Sequence, residues 1–174
     1  MEFLNPEQVL SQVELRDSMT AADFGCGSGG WAIPLAQKLK TGKVYAIDIQ
    51  EEALSALRTK MEMAKINNIK PIKADLEQGL GSSIQSNLLD LVLLTNLLFQ
   101  VKDKKAIIEE AKRVLRTGGK LLVVDWKAEA PLGPKEGRIS PLEVKDLARN
   151  TGFILDKEIE AGSYHYGLVF LKMS

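Results

Sequence analysis

The chain has 174 residues, which is enough for one domain with a hydrophobic core of its own. Lysine plus arginine and aspartate plus glutamate both number 23, so no overall charge attracts the chain to nucleic acid or to an anionic membrane. One cysteine excludes an internal disulfide and a cysteine-rich zinc cluster. The sequence shows neither a signal-peptide start nor the roughly 20 apolar residues of a membrane-spanning helix. We therefore expect one soluble, cytoplasmic domain over residues 1–174.

The first part of the chain predicts a helix, a strand, a glycine turn and a second helix. Asn5 as N-cap and Pro6 at the first position predict a short helix over residues 5–15. The apolar run 19–22 predicts a strand, and residues 29–40 predict a helix. A strand, a tight turn and a helix in this order place a row of backbone N–H groups at one edge of a sheet. That arrangement is typical of a nucleotide site.

The rest of the chain alternates strands and helices, as expected for an α/β domain. Pro71 restricts its strand to a sheet edge, and the glycines at 118 and 119 predict a helix C-cap. Residues 128–139 carry two prolines and two glycines, so they predict a loop that covers the substrate as a lid. The predicted strands are 43–49, 69–75, 88–96, 120–125, 153–160 and 166–172, and the predicted helices are 51–67, 103–116 and 141–151.

Charge indicates which nucleotide the glycine turn binds. The spacing of Gly25, Gly27 and Gly30, followed by Asp48, satisfies the dinucleotide fingerprint. A dinucleotide, however, places an anionic pyrophosphate on the helix N-terminus, where the carboxylate of Asp23 would repel it. A ligand with a sulfonium and an ammonium group would instead be attracted, and S-adenosylmethionine is such a ligand. A nicotinamide-dependent oxidoreductase therefore fits the sequence less well.

The string Asp23-x-Gly25-x-Gly27-x-Gly29 resembles the first motif of the class I S-adenosylmethionine-dependent methyltransferases. Residues 95–101 resemble the fourth motif of the small-molecule branch, including the quinone-biosynthesis C-methyltransferases, and differ from the Asn-Pro-Pro-Tyr string of enzymes that methylate DNA bases. The resemblance implies a Rossmann-like three-layer α/β sandwich. Its seven-stranded, mostly parallel sheet has the order 3-2-1-4-5-7-6, with strand 7 antiparallel. The implied cofactor is S-adenosylmethionine, and the implied product is S-adenosylhomocysteine.

Two acidic residues at strand ends are the main candidates for holding the cofactor. Asp48 follows the second strand beside the glycine turn, where its carboxylate can accept hydrogen bonds from two ribose hydroxyls. The resemblance implies that Asp75 bonds the adenine amino group and that Ile49 covers one face of the ring. Asp75 could equally be the N-cap of a short turn that begins at Leu76. The full set of predicted cofactor residues is Asp23, Gly25, Cys26, Gly27, Ser28, Gly29, Asp48, Ile49, Ala74, Asp75, Leu76 and Asn96.

Methyl transfer from a sulfonium depends on aligning donor and acceptor, and the sequence shows no catalytic triad. The candidates for a catalytic role are His165, Tyr164, Lys127 and Asn96. His165 is the only histidine, and its intrinsic pKa suits a general base, although a half-exposed aromatic turn explains it as well. Lys127 would suit an RNA 2′-O-methyltransferase only if an acid stood at Asn96. Cys26 is interpreted as small filler in a tight turn. Further acceptor-side candidates are Trp31, Phe99, Gln100, Trp126 and Tyr166.

The sequence thus predicts a methyltransferase that transfers a methyl group to a small-molecule acceptor by in-line displacement. Few residues lie outside the sheet and its helices, which suits a small, partly apolar acceptor. Two alternatives stay open. One is a protein or RNA methyltransferase, and the other is a non-catalytic S-adenosylmethionine-binding module without an open acceptor pocket. We expect no membrane or nucleic-acid partner, no metal, and a monomer or homodimer.

Overall fold

The structure is a computed structural model that describes residue 1 and residues 3–174. One seven-stranded sheet has the order β3-β2-β1-β4-β5-β7-β6. Strands β1 to β5 pair in parallel, and β7 is antiparallel to both β5 and β6. This is the topology that the resemblance implies. The strands are β1 (Thr20–Phe24), β2 (Lys43–Asp48), β3 (Ile69–Lys73), β4 (Leu89–Thr95), β5 (Leu115–Trp126), β6 (Phe153–Ile159) and β7 (His165–Lys172).

In the described residues, five helices and three short 3₁₀ turns connect and cover the strands. Asn5 caps the first helix by accepting hydrogen bonds from two backbone N–H groups, and Ser140 with Glu143 forms the predicted capping box of the last. No described helix is long and apolar enough to cross a membrane. The helices are α1 (Pro6–Leu10), α2 (Ala32–Lys38), α3 (Glu51–Met63), α4 (Lys104–Val114) and α5 (Pro141–Thr151), and the 3₁₀ turns are Leu76–Gln78, Gly81–Ser83 and Leu98–Gln100.

The central strands are apolar on both faces because helices cover both sides of the sheet. One apolar cluster includes Phe24 and Phe170 with the inner faces of α4 and α5. The other includes Leu10 and Leu57 with the inner faces of α1, α2 and α3. Each such fully buried side chain stabilises the fold by about 2 kcal/mol. Pro71 lies in β3, which pairs only with β2 at the sheet edge, as predicted.

Three predicted helix ends are wrong. The first helix ends at Leu10 instead of residue 15, and α3 ends at Met63 because Lys65 turns to a positive φ of 54°. The fourth helix ends at Val114 without a glycine cap, since Leu115 is already extended and pairs with Leu89. The predicted capping glycines belong to β5, where a register shift absorbs the extra residues. Strand pairing therefore overrides the local C-cap signal.

Candidate functional site

The glycine turn after β1 is tied by backbone hydrogen bonds to the end of β2. The N–H groups of Gly25 and Cys26 both donate to the carbonyl of Ile47, each at 2.8 Å. The next N–H group, of Gly27, donates to Asp48 Oδ2 at 2.9 Å. Asp48 therefore fixes the turn as well as facing it.

Three glycines of the turn adopt a positive φ, and a fourth does not. Gly25, Gly27 and Gly29 have φ values of 73°, 54° and 99°, in the region that favours glycine. A Cβ on Gly29 would lie 2.5 Å from Leu57 Cδ1. Gly30 has neither a positive φ nor a neighbour within 4 Å of an added Cβ. The glycines with a positive φ therefore match the motif that begins at Asp23. They do not match the dinucleotide fingerprint, whose third glycine would be Gly30.

A cavity of about 300 Å³ opens beside the turn, at the carboxyl ends of β1, β2 and β3. Ile49 stands at the cavity with 58% of its surface exposed, so a large apolar side chain is available to cover a flat ring. The structure brings six of the predicted cofactor residues to this cavity: Gly25, Asp48, Ile49, Ala74, Asp75 and Leu76. The remaining lining residues, which were not among the predicted cofactor residues, are Gln50, Glu77, Leu97, Gln100 and Val101.

The two strand-end carboxylates of the cavity are held by backbone N–H groups. Asp48 Oδ1 accepts from Gln50, and Oδ2 accepts from Gly27, both at 2.9 Å. Each carboxylate oxygen has a second lone pair, so both can also accept from ligand hydroxyls. Asp75 is an N-cap, with Oδ1 accepting from the backbone N–H of Glu77 at 3.0 Å, and it lines the cavity as well. The two interpretations of Asp75 are therefore compatible.

Asp23 is a buried carboxyl group without a counter-charge. Its side chain is 1% exposed, and neither oxygen has a hydrogen-bond partner among the described residues. Burial raises the pKa of Asp23 to about 8, and the negative charge of Asp48 adds to the effect. The backbone N–H of Ala32 does not meet hydrogen-bond geometry with either oxygen, but it faces the carboxyl group and opposes this rise in pKa in part. A ligand cation at this point would relieve the unfavourable environment.

The other six predicted cofactor residues lie outside the lining of the cavity: Asp23, Gly27 and Gly29, described above, and Cys26, Ser28 and Asn96. Cys26 is buried, and burial together with the negative charges of Asp23 and Asp48 raises the pKa of its thiol, as expected for inert filler. Ser28 Oγ accepts from Lys60 Nζ at 2.9 Å. Asn96 follows β4 with a positive φ of 51°, and its Oδ1 is buried with no hydrogen-bond partner in residues 1 and 3–174.

On the acceptor side, His165 and Trp126 pair across β7 and β5 with ring centroids 4.1 Å apart. His165 is 5% exposed, so the interpretation as a half-exposed turn is wrong. Burial, with a smaller effect from Lys127, lowers the pKa of His165 to about 4, which makes its ring a weak base. The backbone N–H of Lys127 donates to the carbonyl of Tyr164 at 2.9 Å, and the Tyr164 ring packs against Phe3.

Two other acceptor-side candidates have mainly structural contacts. Trp31 lies in the apolar cluster beneath α2. Tyr166 donates its hydroxyl to the carbonyl of Ile139 at 2.8 Å, and burial raises its pKa. Phe99 is half-buried in the turn after β4. These contacts assign Trp31 and Tyr166 to packing.

Sequence reasoning missed Asp125 as a site residue. It lies near the end of β5 and is fully buried, with Oδ1 accepting from the backbone N–H of Trp126 at 2.8 Å. Its Oδ2 has no partner among the described residues, and burial raises its pKa to about 6. The signal that identified Asp48, an acid where a parallel strand ends, would also have found Asp125.

The predicted lid, residues 128–139, is organised around Arg138. Its guanidinium donates to five backbone carbonyls, at distances from 2.6 to 3.1 Å. The same segment packs on the Trp126 ring, since a Cβ on Gly133 would lie 2.6 Å from it. The accepting carbonyls belong to Lys127, Ala128, Ala130, Leu132 and Pro134.

Comparison with known proteins identifies this architecture. A family model described as a methyltransferase domain matches residues 15–160. The chain belongs to this methyltransferase domain family. The demethylmenaquinone methyltransferase of Oceanobacillus iheyensis is 24% identical over 131 residues, which are 75% of this chain and 54% of that protein. The chain thus spans about half the length of the curated relatives it matches.

Solved structures agree with this membership. A SAM-dependent methyltransferase from Aquifex aeolicus is 28% identical, with a TM-score of 0.88, and the match covers 97% of this methyltransferase domain and 90% of that chain. A SAM-dependent methyltransferase from Methanosarcina mazei shares the fold at 20% identity and a TM-score of 0.76, over 94% of this chain and 97% of that one. The resemblance to the class I methyltransferases is therefore confirmed, and S-adenosylmethionine is the cofactor of this domain.

Proposed function

We propose that this methyltransferase domain transfers a methyl group to a small-molecule acceptor by in-line displacement. The observation that carries the proposal is the carboxyl group of Asp23, buried without a partner beneath the glycine turn. A buried carboxylate is stable only beside a cation. A dinucleotide would bring its anionic pyrophosphate to the glycine turn, and an empty structural turn supplies no cation.

The residues present fit S-adenosylmethionine. Asp48 would hold the ribose hydroxyls, Asp75 and Ile49 would hold the adenine, and the open space at Gly27 would admit the ligand against bare backbone. Asp23 would stabilise the positive end through the glycine turn. When bound, the cofactor supplies an electrophilic methyl group on a positively charged sulfur. The chain's own contribution is to bind and orient both reactants.

The acceptor side of the domain is built from few residues, and this supports a small acceptor. This side consists of α1, the 128–139 segment and the turn between β6 and β7, and none of these forms a separate domain. Aromatic side chains of Trp126, Tyr164 and Phe99 are placed there, which favours a flat, partly apolar molecule. The curated relatives are named for a quinone-type acceptor, and this points in the same direction.

The alternatives make different demands on the molecule. An RNA or protein substrate would need a docking surface, and the balance of 23 basic and 23 acidic residues supplies no field for RNA. A non-catalytic binding module would need no acceptor site. In this chain, polar side-chain atoms of Asp125 and His165 are buried on the acceptor side with no hydrogen-bond partner among the described residues. Cytoplasmic location and a monomeric or homodimeric state stay predictions from the sequence.

Calorimetric titration tests the donor site. We expect micromolar binding of S-adenosylmethionine and S-adenosylhomocysteine and no binding of NAD. Asp48→Ala should weaken binding by about 10- to 100-fold, since charge-assisted hydrogen bonds to the ribose are lost. Asp146→Ala, at an exposed acid paired with Arg149 on α5, should bind like wild type. Binding of NAD alone would overturn the proposal.

Methyl incorporation tests the reaction itself. Wild-type protein with methyl-labelled S-adenosylmethionine should label at least one member of a panel of naphthols, catechols and hydroquinones. Labelling of RNA or of protein in place of these compounds would contradict the small-molecule acceptor.

A further inference from the structure

Buried polar atoms without a partner are concentrated at one edge of the sheet. Among the described residues, six such side-chain atoms occur, and they belong to Asp23, Asn96, Asp125 and His165. The first three lie at the carboxyl ends of β1, β4 and β5, and His165 begins the antiparallel β7. All four residues therefore lie at the same edge of the sheet. Each orphaned group costs about 1–3 kcal/mol, and such groups in a folded protein call for a functional reason.

His165 is held in place by packing and not by hydrogen bonds. Both ring nitrogens are buried without a hydrogen-bond partner in the part of the chain that the structure describes, and the centroid of the ring lies 4.1 Å from that of Trp126. Trp126 is fixed in turn from the segment 128–139, where Gly133 contacts its ring and Arg138 lies 5.9 Å from the ring centroid. A histidine that only filled space would be replaceable by any apolar ring, whereas this one carries two uncompensated polar atoms.

The position of His165 fits contact with an acceptor and not with the cofactor. The strands β1, β4, β5 and β7 are successive neighbours, and strands are spaced about 4.8 Å apart. His165 on β7 is thus about 10 Å from the end of β4 and about 14 Å from β1. It also lines a cavity of about 210 Å³, together with Lys127, Ala161 and other residues. A molecule about two fused rings long would reach from the end of β4 to His165.

We propose that His165 binds a hydroxyl group of the acceptor, at the end remote from the donor, and thereby selects hydroxyl-bearing acceptors. This inference rests on the proposed function. The neutral imidazole accepts a hydrogen bond from the hydroxyl through one ring nitrogen. Trp126 acts as a positioning residue that keeps the imidazole ring in its orientation.

The single histidine of the chain makes a direct test possible. Protein labelled with ¹⁵N-histidine gives ring-nitrogen signals from His165 alone. In the presence of S-adenosylhomocysteine, 2-naphthol should shift one of these signals, and 2-methoxynaphthalene, which has the same rings but no hydroxyl, should leave both unchanged. Equal shifts with both compounds, or none with 2-naphthol, would overturn the proposal.

Variants at His165 test selectivity. Wild-type protein should bind 2-naphthol about 10-fold more tightly than 2-methoxynaphthalene, as one hydrogen bond predicts. His165→Phe keeps a ring against Trp126 and should abolish this preference, while His165→Gln should restore part of it. Retained preference in His165→Phe would contradict the assignment. S-adenosylhomocysteine binding should be the same in all three proteins, and its absence from wild type would instead refute the proposed function.

Discussion

Gly29 and Gly30 are neighbours in the chain, but their surroundings make opposite demands. Gly29 has a φ of 99° and would bring a Cβ to 2.5 Å from Leu57. Gly30 has an ordinary φ and open space. We expect Gly29→Ala to lower the free energy of unfolding by about 2 kcal/mol or more, through backbone strain and overpacking. Gly30→Ala should change it by less than about 0.5 kcal/mol.

Urea unfolding of the two variants checks this difference. Each variant replaces a glycine by alanine, so both lower the conformational entropy of the unfolded chain by the same amount. Gly30→Ala is therefore a matched control for Gly29→Ala. Equal midpoints for the two variants would show that the turn does not impose the conformation described here.

Residue identity predicted some parts of the site better than others. Asp23, Asp48 and the alternating glycines could be predicted because charge and backbone freedom are local properties. The burial of His165 could not be predicted, since it depends on Trp126, which pairs with it from a strand about 40 residues away in sequence. Its lowered pKa follows from that burial and makes the ring a weaker base than its intrinsic pKa suggests, so a general-base role for His165 stays a prediction.

At the scale of elements, the segment 128–139, which the sequence predicts as a substrate lid, is a strap that Arg138 ties together by hydrogen bonds. Arg138 satisfies five carbonyls from inside the loop. Arg138→Ala should release these carbonyls to solvent and lower the free energy of unfolding by about 1–3 kcal/mol. It should also speed amide hydrogen exchange in residues 128–139.

Arg138→Lys separates charge from geometry in this segment. Lysine keeps the positive charge but lacks the planar fork that reaches several carbonyls at once, so exchange should still be faster than in wild type. If lysine restored wild-type protection, charge and not the hydrogen-bond fork would hold the strap.

The elements themselves were predicted from periodicity and turn chemistry with good success, including the edge position of β3 and the capping box of α5. Their ends were predicted less well. The end of α4 shows why, because Leu115 leaves the helix to pair with Leu89 in β4. The glycine pair three residues later is the stronger local signal for a helix C-cap. Pairing with a strand distant in sequence nevertheless determines where the helix ends.

At the scale of the whole molecule, two buried ionisable groups make stability depend on pH, one as the pH rises and the other as it falls. The pKa of Asp23 rises from 3.8 to about 8 on folding, so the folded state binds the proton more tightly and stability falls as pH increases between those values. The pKa of His165 falls from 6.5 to about 4, so stability also falls as pH decreases through that range.

A cation bound near Asp23 should remove the alkaline part of this dependence. Between pH 6 and pH 8, the ionisation of Asp23 lowers the free energy of unfolding of the ligand-free protein by about 2 kcal/mol. Bound S-adenosylmethionine should restore much of this free energy. Its stabilising effect, measured as a shift in Tm, should therefore be larger at pH 8 than at pH 6. Asp23→Asn should show equal shifts at the two pH values. Equal shifts in wild type would contradict the pairing of Asp23 with the cofactor.

The open space at Gly27 has a consequence for how this domain tolerates mutation. An added Cβ there meets nothing within 4 Å, so Gly27→Ala costs the fold only the strain of a φ of 54°, about 1–2 kcal/mol. The same methyl group would occupy the space at Gly27 through which the cofactor is proposed to reach bare backbone. A mutational scan that measures activity should find Gly27→Ala and Gly29→Ala equally damaging. A scan that measures protein abundance should find near-normal levels of Gly27→Ala and low levels of Gly29→Ala.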